Sequence, residues 1–161
     1  GTFRVTQGLD VLNQVRIAGA GRDLTRLEVS APNRPRNIVN LRDRTALEDL
    51  ALQIRSVTSY YGVSSESATY NPRGGDYGDV RLARLRFDFD NHLPHGALNN
   101  PGNLFECARL EVVDCDFYQQ LWFGNADAWV HGNRFYGGYF GGPDVYLAEG
   151  ALGGNATRLI L

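Results

Sequence analysis

Residues Ala108 to Gly138, ARLEVVDCDFYQQLWFGNADAWVHGNRFYGG, contain one short unit written twice. Placing LEVVDCDFYQ (Leu110 to Gln119) on AWVHGNRFYG (Ala128 to Gly137) sets Val112 on Val130, Cys115 on Asn133, Phe117 on Phe135 and Tyr118 on Tyr136. Each copy carries an apolar residue, a two-residue corner, a small residue and then an aromatic. Alternation on both sides of a corner implies two short strands joined by a turn, each with the same face inward. Repetition at about 20 residues implies coils of chain stacked on one another. The pair therefore predicts that Val112 and Val130 stack in one parallel sheet and Phe117 and Phe135 in the next.

The rest of the chain is compatible with that plan. At 161 residues it suits a single domain with a real core. Nineteen glycines and short strand-like runs fit an all-β protein with frequent corners. A net charge of −2 gives no reason to expect nucleic acid or an acidic membrane surface as partner. No apolar run is long enough to cross a bilayer, and no charged-then-apolar leader is visible. There is no methionine, and all 16 basic residues are arginine. The apolar ending Arg158-Leu159-Ile160-Leu161 leads us to expect a segment of a longer or oligomeric protein. Cys107 and Cys115 lack zinc spacing; we expect both reduced, with Cys115 packed at a corner beside Asn133.

Strands are expected at Thr2 to Thr6, Val15 to Ile17, Leu24 to Val29, Asn37 to Arg42, Leu47 to Ile54 and Val80 to Phe89, with Leu85 and Phe87 inward. Thr58 to Asp79 and Asn91 to Asn103 lose periodicity and are expected as loops leaning over one side of the stack. Gly19 and Gly21 lack the third glycine of a dinucleotide fingerprint and are read as a corner between strands.

The opening, GTFRVTQ…VRIAGAGRDLTRL from Gly1 to Leu27, resembles the first turns of pectin-lyase-like right-handed parallel β-helices. There a G-x-Y/F-x-V strand leads to V-x-I-x-G-x-G and then T-x-L/I. VVDCDFYQ and VHGNRFYGG are similar to the repeat of phage tailspikes and of polysaccharide lyases, epimerases and hydrolases. The resemblance implies an all-β, right-handed parallel β-helix of about six turns over residues 1–161. It implies little about chemistry, because the matching motifs are structural.

Candidate catalytic residues are Asp88, Asp90, Asp114 and Asp116. If Leu85 to Asn91 stacks on Glu111 to Phe117, the four converge as glycoside hydrolysis requires, or as oxygen ligands for Ca²⁺. Matching Ala83-Arg84-Leu85 to Ala108-Arg109-Leu110 shifts the register by one and breaks the convergence; the bland alternative is solvated corner acids. His92, His95 and His131 have the chemistry of a base but no spacing that demands it. Strict alternation turns Trp122 and Trp129 outward, with Tyr136 adding aromatic surface, and such rings stack on sugars or on a partner subunit. Arg81, Arg84, Arg86 and Arg109 take outward positions, as clamps for a uronate or as surface ion pairs. We assign Trp122, Trp129, Tyr136, Arg84 and Arg109 to a carbohydrate surface. The leading expectation is an extracellular or virion-associated domain of tailspike or tail-fibre type that recognises or degrades surface polysaccharide. Its expected setting is a homo-oligomer (a trimer) or a contact with neighbouring virion subunits. A secreted polysaccharide lyase, epimerase or hydrolase and a purely architectural protein are the alternatives.

Overall fold

The computed structural model describes residues 1–30, 37–55, 61–64, 78–89, 102–106, 109–118, 121–124, 127–136, 145–147 and 158–160. Among these there are strands and corners but no helix, and the strands form three six-stranded parallel sheets. The first contains β1 (Thr2–Val5), β4 (Arg26–Ser30), β7 (Ala51–Arg55), β10 (Arg86–Phe89), β13 (Asp116–Phe117) and β16 (Arg134–Phe135). The second contains β2 (Leu9–Val11), β5 (Asn37–Leu41), β8 (Tyr61–Ser64), β11 (Gly102–Glu106), β14 (Leu121–Gly124) and β17 (Val145–Leu147). The third contains β3 (Arg16–Ala18), β6 (Thr45–Glu48), β9 (Asp79–Ala83), β12 (Arg109–Val113), β15 (Asp127–His131) and β18 (Arg158–Ile160). The chain visits the sheets in rotation, so each strand pairs with the strand three places later. We call each successive set of three strands a rung.

Parallel register sets equivalent residues on top of one another, so a column is either apolar or polar along its length. In the first sheet Leu27, Leu52, Phe87, Phe117 and Phe135 form one inward column. Phe117 stacks on Phe87 at 4.6 Å and on Phe135 at 5.1 Å, with nearly parallel rings. In the third sheet Ile17, Leu47, Leu82, Val112 and Val130 form a second column. From the second sheet, buried Val39 and Leu41 face the same core. Burial of each large apolar side chain is worth about 1.5–3 kcal/mol, and these columns add to the backbone pairing that joins the rungs. The repeat pair thus stacks as expected, Val112 on Val130 and Phe117 on Phe135.

The corner between the third and first sheets is built the same way on successive rungs. Asp49, Arg84, Asp114 and Gly132 all take left-handed backbone, with φ of 56°, 53°, 54° and 67°. The next residues are Leu50, Leu85 and Cys115, which are buried, and Asn133. Backbone bonds run along this corner: Asp49 N–H donates to Ala83 C=O, Arg84 to Val113 and Asp114 to His131. Two expected strands are therefore split. Leu47 to Ile54 breaks at Asp49-Leu50, and Val80 to Phe89 breaks at Arg84-Leu85. Uninterrupted apolar spacing masked the turns, since a left-handed residue reverses the chain without leaving a glycine. Leu24 and Thr25 belong to a turn rather than a strand, and β8 lies inside the stretch expected to be a loop.

Cys115 is a free, fully buried thiol. Its amide donates to Asn133 Oδ1 at 2.8 Å, while Asn133 Nδ2 donates to Val112 C=O at 2.9 Å. Asn133 side-chain atoms thus replace the carbonyl and amide that the next rung would present. Cys107 lies outside the described residues.

Candidate functional site

The outer face of the third sheet carries two polar columns. One runs Arg16, Ala46, Arg81, Glu111, Trp129 in register across β3, β6, β9, β12 and β15. The other begins at Arg44, just before β6, and continues Asp79 and Arg109, so opposite charges alternate from rung to rung. Like charges directly opposite on neighbouring strands repel, and alternation removes that cost. Ala46 is the smallest member of its column, and the dip it leaves opens a hollow of about 510 Å³. Arg44, Asp79, Arg81, Arg109 and Glu111 rim it and Trp129 closes one end. The indole is 55% exposed and tilted against His131, with ring centroids 5.7 Å apart.

Each rim cation has a carboxylate. Arg44 Nε lies 2.9 Å from Asp43, Arg81 reaches Glu48 at 3.3 Å and Glu111 at 3.5 Å, and Arg109 stands 3.8 Å from Asp79. Glu48 is buried and also takes Arg16 at 2.5 Å and Arg84 at 3.6 Å. Arg84 forms a two-pronged pair with Asp49, at 2.6 and 2.7 Å. The hydrogen bond from Arg84 holds the Asp49 carboxyl below its ordinary range, and the Asp49 partnership raises Arg84. These arginines are oriented before any ligand arrives.

A second charged cluster sits on the outer face of the first sheet. Asp116 begins β13, and its carboxylate is only 2% exposed. Arg134 Nε approaches it at 2.6 Å, Arg22 Nη1 at 3.3 Å and Arg86 Nε at 3.8 Å. Beside it Tyr118 and Tyr136 stack at 4.6 Å, both partly exposed.

Of the four expected acids, the register does not bring Asp88, Asp114 and Asp116 into one column. Residues 83–85 stack on 113–115, a register different from both alternatives weighed from the sequence. Asp88 therefore pairs with Gln53, and the register carries it toward Tyr118 on the other side. Asp116 falls between Arg86 and Arg134, and Asp114 occupies the left-handed corner. Asp90, His92 and His95 lie outside the described residues. Among the described residues no group of three or more His, Cys, Asp or Glu is placed to hold a metal ion. Of the carbohydrate candidates, Trp129 and Arg109 meet in the hollow, Arg84 sits at the adjoining corner, and Tyr136 is on the first sheet. Trp122 lies in β14 of the second sheet, and its side chain is outside the described set. Sequence reasoning missed Arg44, Asp79 and Glu111. Their alternation with Arg109 and Arg81 was the available signal, but it emerges only once rungs of unequal length are aligned. No protein-family model, curated protein or solved structure matches the chain.

Proposed function

We propose that the chain is a right-handed parallel β-helix of six rungs that binds surface polysaccharide along the groove of its third sheet, in the manner of a tailspike or tail-fibre domain. Rotation of the strands through three parallel sheets supports the architecture. Right-handedness follows because about 98% of parallel crossover connections take that hand. The observation that carries the binding reading is the roughly 510 Å³ hollow with exposed Trp129 at its end. Four strands at about 4.8 Å spacing make the groove about 14 Å long, enough for a short run of sugar units. The indole offers a flat apolar surface to sugar C–H groups, and the rim offers fixed hydrogen-bonding groups to hydroxyls. Binding without catalysis fits the geometry better than lyase or hydrolase chemistry, because arginines enclose Asp116 and the register separates Asp88 from Asp114. Extracellular or virion surroundings accompany this reading, as does assembly with copies of itself or with virion subunits.

The test is titration of the protein with a panel of bacterial surface oligosaccharides, before and after Trp129→Ala. The variant should lose at least about tenfold in affinity, or about 1.4 kcal/mol, with an unchanged circular dichroism spectrum and oligomeric state. Unchanged glycan affinity would remove Trp129 from the site. An altered oligomeric state with no glycan binding by either protein would favour an architectural contact instead.

A further inference from the structure

We infer that the groove selects an uncharged sugar chain, an inference that rests on the polysaccharide reading above. The argument comes from the charge inventory of the rim and the cluster beneath it. Arg16, Arg44, Arg81, Arg84 and Arg109 are matched by Asp43, Glu48, Asp49, Asp79 and Glu111, so the set is neutral. An acidic sugar is gripped by an arginine fork free to take a second carboxylate. Here the Arg81 guanidinium is shared between Glu48 and Glu111, and Arg109 faces Asp79. A uronate entering the groove would displace one of these acids or sit beside it, and both are unfavourable. A hydroxyl both donates and accepts, and the rim offers both functions alternately along its length. With Trp129 supplying the apolar contact, the site matches a neutral polyhydroxylated chain.

Two oligosaccharide sets of equal length decide the matter, one of neutral hexoses and N-acetylhexosamines and one containing uronates. Both are titrated into the protein at 20 and 300 mM NaCl. Neutral members should bind, with affinity changing less than twofold between the two salt concentrations, while uronate members bind at least tenfold more weakly. In Asp79→Asn/Glu111→Gln the uronate set should gain at least fivefold, because the two carboxylates of the rim that repel a uronate are neutralised. Tighter binding of uronates to the unmodified protein, with steep loss in salt, would overturn the charge class while leaving the polysaccharide reading intact. Failure of both sets and of the wider glycan panel would sink the polysaccharide reading and this inference together.

A separate observation points to a second inference: residues 19–25 form a clamp that ties the first corner of the stack to the fourth. The excursion between β3 and β4 is compact. Gly21 N–H donates to Asp49 C=O, Leu24 and Thr25 N–H donate back to Gly21 C=O, and Thr25 Oγ1 accepts from Ala20 N–H. From it Arg22 reaches Asp114 C=O at 2.9 Å and the buried Asp116 carboxylate at 3.3 Å, while Asp23 pairs with Arg86 at 2.9 Å. The span covers three strand spacings, about 14 Å. In stacked rungs each unit otherwise touches only its neighbours, so a rung can open independently of the centre. The first rung is thinly covered, with Phe3 and Leu12 more than half exposed. The clamp makes it open together with the centre.

Native-state hydrogen exchange tests this at named amides. Gln14 and Gly19 donate from the first rung to Asp43 and Glu48, and Asp116 donates to Leu85 in the centre. In the unmodified protein all three should show the same dependence on denaturant. In Arg22→Ala, Gln14 and Gly19 should exchange at least tenfold faster with a shallower dependence, while Asp116 keeps its slope; Arg22→Lys should recover part of the protection. Unchanged exchange of Gln14 and Gly19 in Arg22→Ala would overturn the clamp. So would a shallower dependence at these two amides already present in the unmodified protein.

Discussion

The inward corner position shows how one residue adjusts a repeated structure. Leu50 and Leu85 fill it with hydrocarbon, Cys115 with a thiol, and Asn133 with an amide that bonds the rung beneath. Burial pushes the Cys115 thiol up to about 12, against the smaller opposing effect of its hydrogen bond with the Leu85 amide. A raised folded-state value means that the native protein keeps its proton where the unfolded chain loses it. The associated stability is therefore complete below about pH 9 and is lost as pH rises toward 12. Urea midpoints at pH 8 and pH 10.5 should differ more for the unmodified protein than for Cys115→Ala, since other titrating groups are common to both. Equal pH dependence in the two proteins would show that Cys115 is solvated. The corner position of this thiol was readable from the sequence because the two copies Leu110 to Gln119 and Ala128 to Gly137 have the same length, so Cys115 and Asn133 align without a gap.

At the level of strands, legibility follows the regularity of the connections. β12, β13, β15 and β16 stand where the repeat predicts them, since the corners between β12 and β13 and between β15 and β16 are equally short. Elsewhere the connections between strands differ in length, and the unequal spacing hides which residue stacks on which. That is why the acids appeared able to converge: stacking Leu85 to Asn91 on Glu111 to Phe117 sets Asp88 on Asp114 and Asp90 on Asp116, but the register gives Asp116 to Arg86 and Arg134. The split of Leu47 to Ile54 has a different cause. Asp49 turns the chain in left-handed backbone, a conformation Asp tolerates, and its Arg84 partner holds it there. An alternating pattern of apolar residues passes through such a corner unbroken, because Leu50 and Leu52 are both buried. Half of the groove was legible for the same reasons. Trp129 and Arg109 lie near or within the repeat pair, whereas Arg44 and Asp79 join the column only across long, unequal connections.

For the whole molecule, the rungs meet through backbone pairing and inward columns, and the column Leu27, Leu52, Phe87, Phe117 and Phe135 is continuous from the second rung to the sixth. Phe117 is its keystone, since it is 1% exposed and has an aromatic ring stacked on each face. Replacing it by alanine removes both stacks and leaves a void that flanking strands cannot fill, because hydrogen bonds fix their separation. The expected cost is about 3–5 kcal/mol. In a stack of rungs coupled to their neighbours, a defect at the centre also weakens communication between the two halves. Phe117→Ala should therefore lower the urea midpoint and also the slope of the transition, as the rungs on either side begin to unfold separately. The slope matters because it reports the surface exposed in one cooperative step. Arg22 crosses the first four corners and stops at Asp116, one residue short of Phe117, so the clamp binds the half of the stack that precedes the defect. The half containing β15 and β16 should then open at lower urea than the half containing β4 and β7, measurable as separate exchange transitions at the Arg134 and Ala51 amides. A single transition with unchanged slope in Phe117→Ala would mean that the three sheets are coupled through contacts other than this column.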